Sequence, residues 1–126
     1  MADYNPLGRA RFTSEELYGR RPHSGSDAAH SAVNWEEFEA NVREVMQELG
    51  DLLISKHRDY GPKNVSLSPG GPINGLRVRM HDKMARINNL VDNQQEARHE
   101  PLEDSFKDLA NYGIIGLLVL RGKWDK

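Results

Sequence analysis

The stretch Asn34-Trp35-Glu36-Glu37-Phe38-Glu39-Ala40-Asn41-Val42-Arg43-Glu44-Val45-Met46-Gln47-Glu48-Leu49-Gly50-Asp51-Leu52 decides how this chain folds. Asn34 is a helix-capping residue, and Glu37 stands at the third position after it, where a capping box is completed. Trp35, Phe38, Val42, Val45, Leu49 and Leu52 then recur at helical spacing, so one apolar stripe runs to about His57. Gly61-Pro62 stops it with a flexible residue followed by one that cannot continue a helix.

Working towards the C-terminus, a Gly/Pro/Ser-containing loop spans Lys63 to Gly71. Pro72 suits a first helical position and opens a second helix, which runs to about Val91 on the stripe Ile73, Leu76, Met80, Met84, Ile87 and Val91. The polar stretch Asp92 to Glu100 reads as a connection. Pro101 opens a third helix, with Glu103 and Asp104 in a first turn that favours carboxylates, and this helix ends near Leu120. Its apolar face is Leu102, Phe106, Leu109 and Leu117. No strand pattern competes after residue 34. The expectation is an all-α bundle of three long helices, residues 34–126, completed by dimerisation. Residues 1–33, rich in Arg, Gly, Pro and Ser, read as an irregular arm that is flexible or docked on a partner, with one helical turn after Thr13.

Composition limits the classes open to the chain. Its 126 residues carry 17 basic and 19 acidic side chains, a net charge of -2, and no basic block of the kind that binds duplex nucleic acid. With 37% hydrophobic residues the core is modest, which self-association into a homodimer or higher homo-oligomer would support. There is no cysteine, hence no disulfide, thiolate zinc site or cysteine nucleophile, and a reducing cytoplasm fits. Gly113 to Leu120 is too short to span a bilayer, which needs roughly 20 residues, so no membrane role is expected.

Chemistry concentrates on the three helices. Glu37, Glu44, Glu48 and Asp51 flank the first stripe. Glu37 and Glu44 read as a solvated edge, while Glu48 and Asp51 are metal candidates. Lys56 continues the stripe by one turn, and Lys83 lies among Met80, Met84 and Ile87, so two lysines lean inward and each needs a carboxylate or a phosphate. Asp104, Asp108 and Asn111 occupy the other side of the third helix, which then continues as Ile115 and Leu118. A face turning from acidic to apolar either lines a cleft or meets a partner. Asp104 and Asp108, one turn apart, either hold Mg²⁺ with help from Glu48 or Asp51, or form ion pairs with Lys56 and Lys83. The set Asp59, Tyr60 and Asn64 in the first loop can hold a base and its phosphates. Ser66 to Gly71 lacks phosphate-loop spacing. His57, His81 and His99 lack zinc-type pairing and read as surface residues.

Three segments together resemble the nucleotide-modification-associated domain, first family, a group of small all-α proteins of bacteriophages and bacteria. They are Lys56-x-x-Asp59-Tyr60-Gly61, Lys83-x-x-Arg86-Ile87 and Glu103-Asp104-x-x-x-Asp108-Leu109-Ala110-Asn111-Tyr112. The resemblance covers about residues 35–121 and implies nucleotide or modified-base metabolism, in the host cytoplasm if phage-encoded. A more distant similarity is to MazG-like nucleoside triphosphate pyrophosphohydrolases, from which the spacing departs: the second helix offers Lys83 and Arg86 where acids are expected. The leading expectation is Mg²⁺-dependent cleavage of a nucleoside triphosphate to monophosphate and pyrophosphate. Asp104 and Asp108 would hold the metal and orient water; Lys56, Lys83 and Arg86 would neutralise phosphate; Tyr60 or Tyr112, with Asn111 nearby, would meet the base. The alternative is nucleotide capture without chemistry, favoured by the basic second helix with Arg77, Arg79, Lys83 and Arg86. A third reading is an interaction protein whose third helix packs on its own copy.

Overall fold

A computed structural model describes residues 32–126, in which four helices follow one another: α1 Trp35–Tyr60, α2 Lys63–Ser66, α3 Pro72–Asp92 and α4 Leu102–Leu120. The three long ones are those the periodicity predicts. The loop expected over Lys63 to Gly71 contains the one-turn α2, whose Val65 is buried. The arm expected over 1–33, with its turn after Thr13, lies outside the described residues apart from its last two. Among the described residues there is no strand.

Local chemistry sets the helix ends. The Asn34 side chain accepts a hydrogen bond from the Glu37 amide at 3.0 Å, so the expected cap is made. α1 continues to Tyr60, one turn beyond the end of its stripe, because Gly61 supplies the terminating conformation at φ 69° and donates its amide to the His57 carbonyl. α4 ends in a Schellman turn: Lys123 N–H bonds to Leu118 O at 2.8 Å and Gly122 N–H to Val119 O at 3.1 Å, with Gly122 at φ 66°. That turn sends the tail back, so that Trp124 donates from Nε1 to the Pro62 carbonyl at 3.1 Å and packs edge-on against His57.

α3 and α4 form the main pairing, and α1 joins along α4 by its C-terminal half. The core is a cluster of Val65, Leu76 and Ile115, against which Leu53, Tyr112, Val119 and Trp124 pack. Ile87 and Leu90 are also buried. Two faces differ from the expectation. On α4, Phe106 and Leu117 are more than half exposed, while Ser105, Asn111 and Ile115 are buried. The polar side of α4 turns inward because α3 presents hydrogen-bonding partners to it: Arg86 donates to the Ser105 hydroxyl at 2.6 Å, and Lys83 pairs with Asp108. On α1, no residue is buried, and Trp35, Phe38 and Val45 of its stripe stand more than half exposed.

Candidate functional site

Where α1, α2, α3, α4 and the returning tail meet, a cleft of about 470 Å³ opens. Its polar centre is Asp108. One carboxylate oxygen accepts from Lys56 of α1 at 3.2 Å, and the other pairs with Lys83 of α3 at 2.9 Å. Lys83 also lies 3.6 Å from Glu100 in the connection before α4. The Asp108 and Lys83 side chains are largely covered, at 17% and 21% exposure. Burial pushes the Asp108 carboxyl up, but the hydrogen bonds and charges of Lys83 and Lys56 outweigh it and hold the group below the usual carboxylate value. The same bond holds Lys83 above the ordinary lysine value, against a smaller opposing effect of burial. Thus Lys83, largely covered, and Lys56, half exposed near the end of α1, share one aspartate, and Asp104 pairs with neither.

Of the residues singled out from sequence, Lys56, Tyr60, Asn64, Lys83, Asn111 and Tyr112 line this cleft together with Asp108. Asp104 lines an adjoining recess of about 240 Å³, together with Leu52, Lys107 and the shared residues Lys56, Glu100 and Asp108. The remaining ones lie elsewhere. Asp59 is exposed outside the cleft. Arg86 is turned the other way, bonded to the Ser105 hydroxyl and the Glu100 carbonyl, so it ties α3 to the start of α4 instead of facing a phosphate. Glu48 is drawn to Lys107 at 2.6 Å, a contact that raises the Lys107 pKa, and Asp51 accepts from the Gln47 amide at 2.9 Å.

The four carboxylates considered for Mg²⁺ therefore do not fit a shared cation in this arrangement. Among the described residues no three acidic or histidine side chains converge, and both Asp108 oxygens face ammonium groups. A hard divalent cation takes oxygen ligands, and each lysine there competes with it for Asp108.

Trp124 and His57 lie outside the site expected from sequence, in which Arg79 figures only among the basic residues of the second helix. Arg79 lines the cleft and is held by the Ser68 hydroxyl and the Asn64 carbonyl. Trp124 lies beyond the last helix, and only the glycine turn at Gly122 hints that the tail folds back. His57, read as a surface residue, is half-buried in the cleft wall, its ring 4.7 Å from the Trp124 ring. Two buried polar atoms of the cleft-lining residues, Asn111 Oδ1 and His57 Nδ1, have no hydrogen-bond partner, so each is an acceptor or donor still to be matched.

A sequence-family profile described as nucleotide modification associated domain 1 matches residues 56–120, just over half of the chain. The chain belongs to this family. The matched region starts at Lys56 and ends with α4, so it contains the Lys56–Asp108–Lys83 arrangement and leaves out most of α1 and Trp124. It is narrower than the 35–121 span of the resemblance. No curated protein and no solved structure matches the chain.

Proposed function

We propose that the protein binds a nucleotide in this cleft, as part of nucleotide or modified-base metabolism, and holds it without resident metal. The supporting observation is the cleft's composition: Lys56, Lys83 and Arg79 stand against the carboxylates of Asp108 and Glu100, within walls that include Tyr60, Tyr112 and Trp124. Ammonium and guanidinium groups complement phosphate oxygens, and aromatic faces complement a base. A phosphate arriving at Lys56 and Lys83 replaces part of the charge balance that Asp108 now supplies. Asn111 lines the cleft, and its buried Oδ1, without a hydrogen-bond partner, is an acceptor that a rotation of the amide would present to the base or sugar. The family description agrees with a nucleotide ligand. Among the described residues no helix is long and apolar enough to cross a membrane.

Calorimetry with nucleoside mono-, di- and triphosphates, in Mg²⁺ and in EDTA, with chromatography of the products, tests the proposal. Binding that persists in EDTA with the nucleotide recovered unchanged is the expected result. No binding by any nucleotide would overturn it.

Hydrolysis of a nucleoside triphosphate between its α- and β-phosphates is the second reading. One observation favours it: Asp104 opens onto the recess beside Asp108 and Glu100, so three carboxylates border one cavity. Asp108→Asn separates the readings. Capture predicts binding retained or tightened, because a competing negative charge is removed from the lysines; hydrolysis predicts turnover lost.

A further inference from the structure

Six apolar residues of α1, Trp35, Phe38, Val42, Val45, Leu49 and Leu52, are spaced 3, 4, 3, 4 and 3 apart. That is the strict seven-residue repeat of a helix-to-helix seam, narrower than the stripe of a helix lying on a globular core. The fold leaves its N-terminal part open, with Trp35 at 70% exposure, Phe38 at 55% and Val45 at 53%. Met46 on its flank is 64% exposed.

We infer that a second copy of this chain lays its α1 antiparallel on this seam, and that the partner's Trp35 walls the recess beside Leu52. The seam is self-complementary in one register. Trp35 meets the partner's Leu52, Phe38 meets the partner's Leu49, and Val42 meets the partner's Val45, so every layer is apolar on both sides. Glu39 then lies across from the partner's Met46, and Asn41 from the partner's Glu48, with no like charges opposed. Sliding by one heptad sets Phe38 on the partner's Lys56 and brings Glu48 against its own copy. A parallel pairing sets Lys56 against the partner's Lys56. Both alternatives bury or oppose charge, which costs stability.

The seam residues with Met46 offer on the order of 500 Å² of apolar surface per chain. Flanking side chains along a helix roughly 39 Å long bring the total towards the ~800 Å² per partner of a stable interface. Residues 1–31 carry no seven-residue apolar repeat that would match the seam in place of a second copy.

The consequence for the site follows from Leu52, which lines the recess with Lys56, Asp104, Lys107 and Asp108. An indole seated on Leu52 adds an aromatic wall to a cavity otherwise bordered by charge. This second step rests on the cleft being the nucleotide site; the dimer does not.

The chain has no cysteine, so introduced thiols are unambiguous reporters. Differently tagged Val42→Cys and Val45→Cys chains, coexpressed and oxidised, are expected to cross-link to each other, while neither cross-links to itself. Self-cross-linking of Val42→Cys alone would overturn the antiparallel register. Light scattering of the full chain at tens of micromolar should give twice the 14.3 kDa chain mass. Phe38→Asp should give the single-chain mass with helical circular dichroism retained, since Phe38 is half exposed. A monomeric parent chain, or a Phe38→Asp dimer, would overturn the interface. Trp35→Ala should weaken nucleotide binding about tenfold while the chain stays dimeric. Unchanged affinity in that dimer would overturn the contribution of Trp35. If no nucleotide binds at all, the role of Trp35 falls with the ligand reading, and cross-linking alone decides the dimer.

Discussion

Asp108 accepts from two lysines carried by different helices, and the pH dependence of stability follows from that arrangement. Its carboxyl pKa is lowered, so its contribution is present at neutral pH and is lost as pH falls through the folded-state value, below the ordinary 3.8. Lys83 has a raised pKa, so its contribution is complete below the ordinary 10.5 and is lost as pH rises through the folded-state value above it. Urea unfolding across pH should therefore show a plateau between those limits. Asp108→Asn should lower that plateau by about 1 kcal/mol, a figure that allows for solvent screening, and flatten both edges. Arg86 makes a different prediction. Its guanidinium satisfies the Ser105 hydroxyl, which is fully buried, so Arg86→Ala strands a polar group and should cost about 2 kcal/mol. Nucleotide affinity measured by calorimetry should be unaffected, because Arg86 lies outside the cleft.

At the scale of elements, the junction between α2 and α3 depends on Gly75. A β-carbon there would collide with the Ser68 side chain and crowd Arg79, and Ser68 is too short to swing away. Alanine has the better helix propensity by roughly 1 kcal/mol, yet Gly75→Ala should lower the melting temperature, with a net cost of about 1–3 kcal/mol from overpacking. Because Arg79 is held by the same segment, the variant should also weaken nucleotide binding. The N-cap of α1 supports a helix end with no buried residue, so Asn34→Ala should fray the first turns at a cost of about 1 kcal/mol, visible as faster amide exchange there.

For the whole molecule, the cleft exists only because five segments converge on it, with cations from α1 and α3. The Lys56→Ala and Lys83→Ala variants should each weaken nucleotide binding by about tenfold or more, and raised salt should weaken binding of the parent chain. A variant that lost binding equally for nucleosides without phosphate would point instead to collapse of the cleft, which near-ultraviolet dichroism of the tyrosines and tryptophans would reveal.

The sequence by itself determined the three long helices, because caps at Asn34 and Pro101, stops at Gly61 and Gly122, and a helical apolar period are all local signals. It also marked Lys83 as inward-leaning, since it sits on an apolar stripe where a charge is costly; Lys56, on a stripe of its own, stands half exposed while still reaching Asp108. It did not determine which aspartate answers them. Asp104 and Asp108 are both on α4, one turn apart, and only the angle at which α4 meets α1 and α3 brings Asp108 to both lysines. The same angle turns Ser105 and Asn111 inward and leaves Phe106 and Leu117 outside, while Leu102 and Leu109 of the expected apolar face stay half-buried. Arg86 left the site and Trp124 and His57 entered it for a similar reason: their partners are distant in sequence, and no local period encodes them. As for the carboxylates and lysines across three helices, tertiary structure sets Lys56 and Lys83 against Asp108 and gives Glu48 and Asp51 partners of their own.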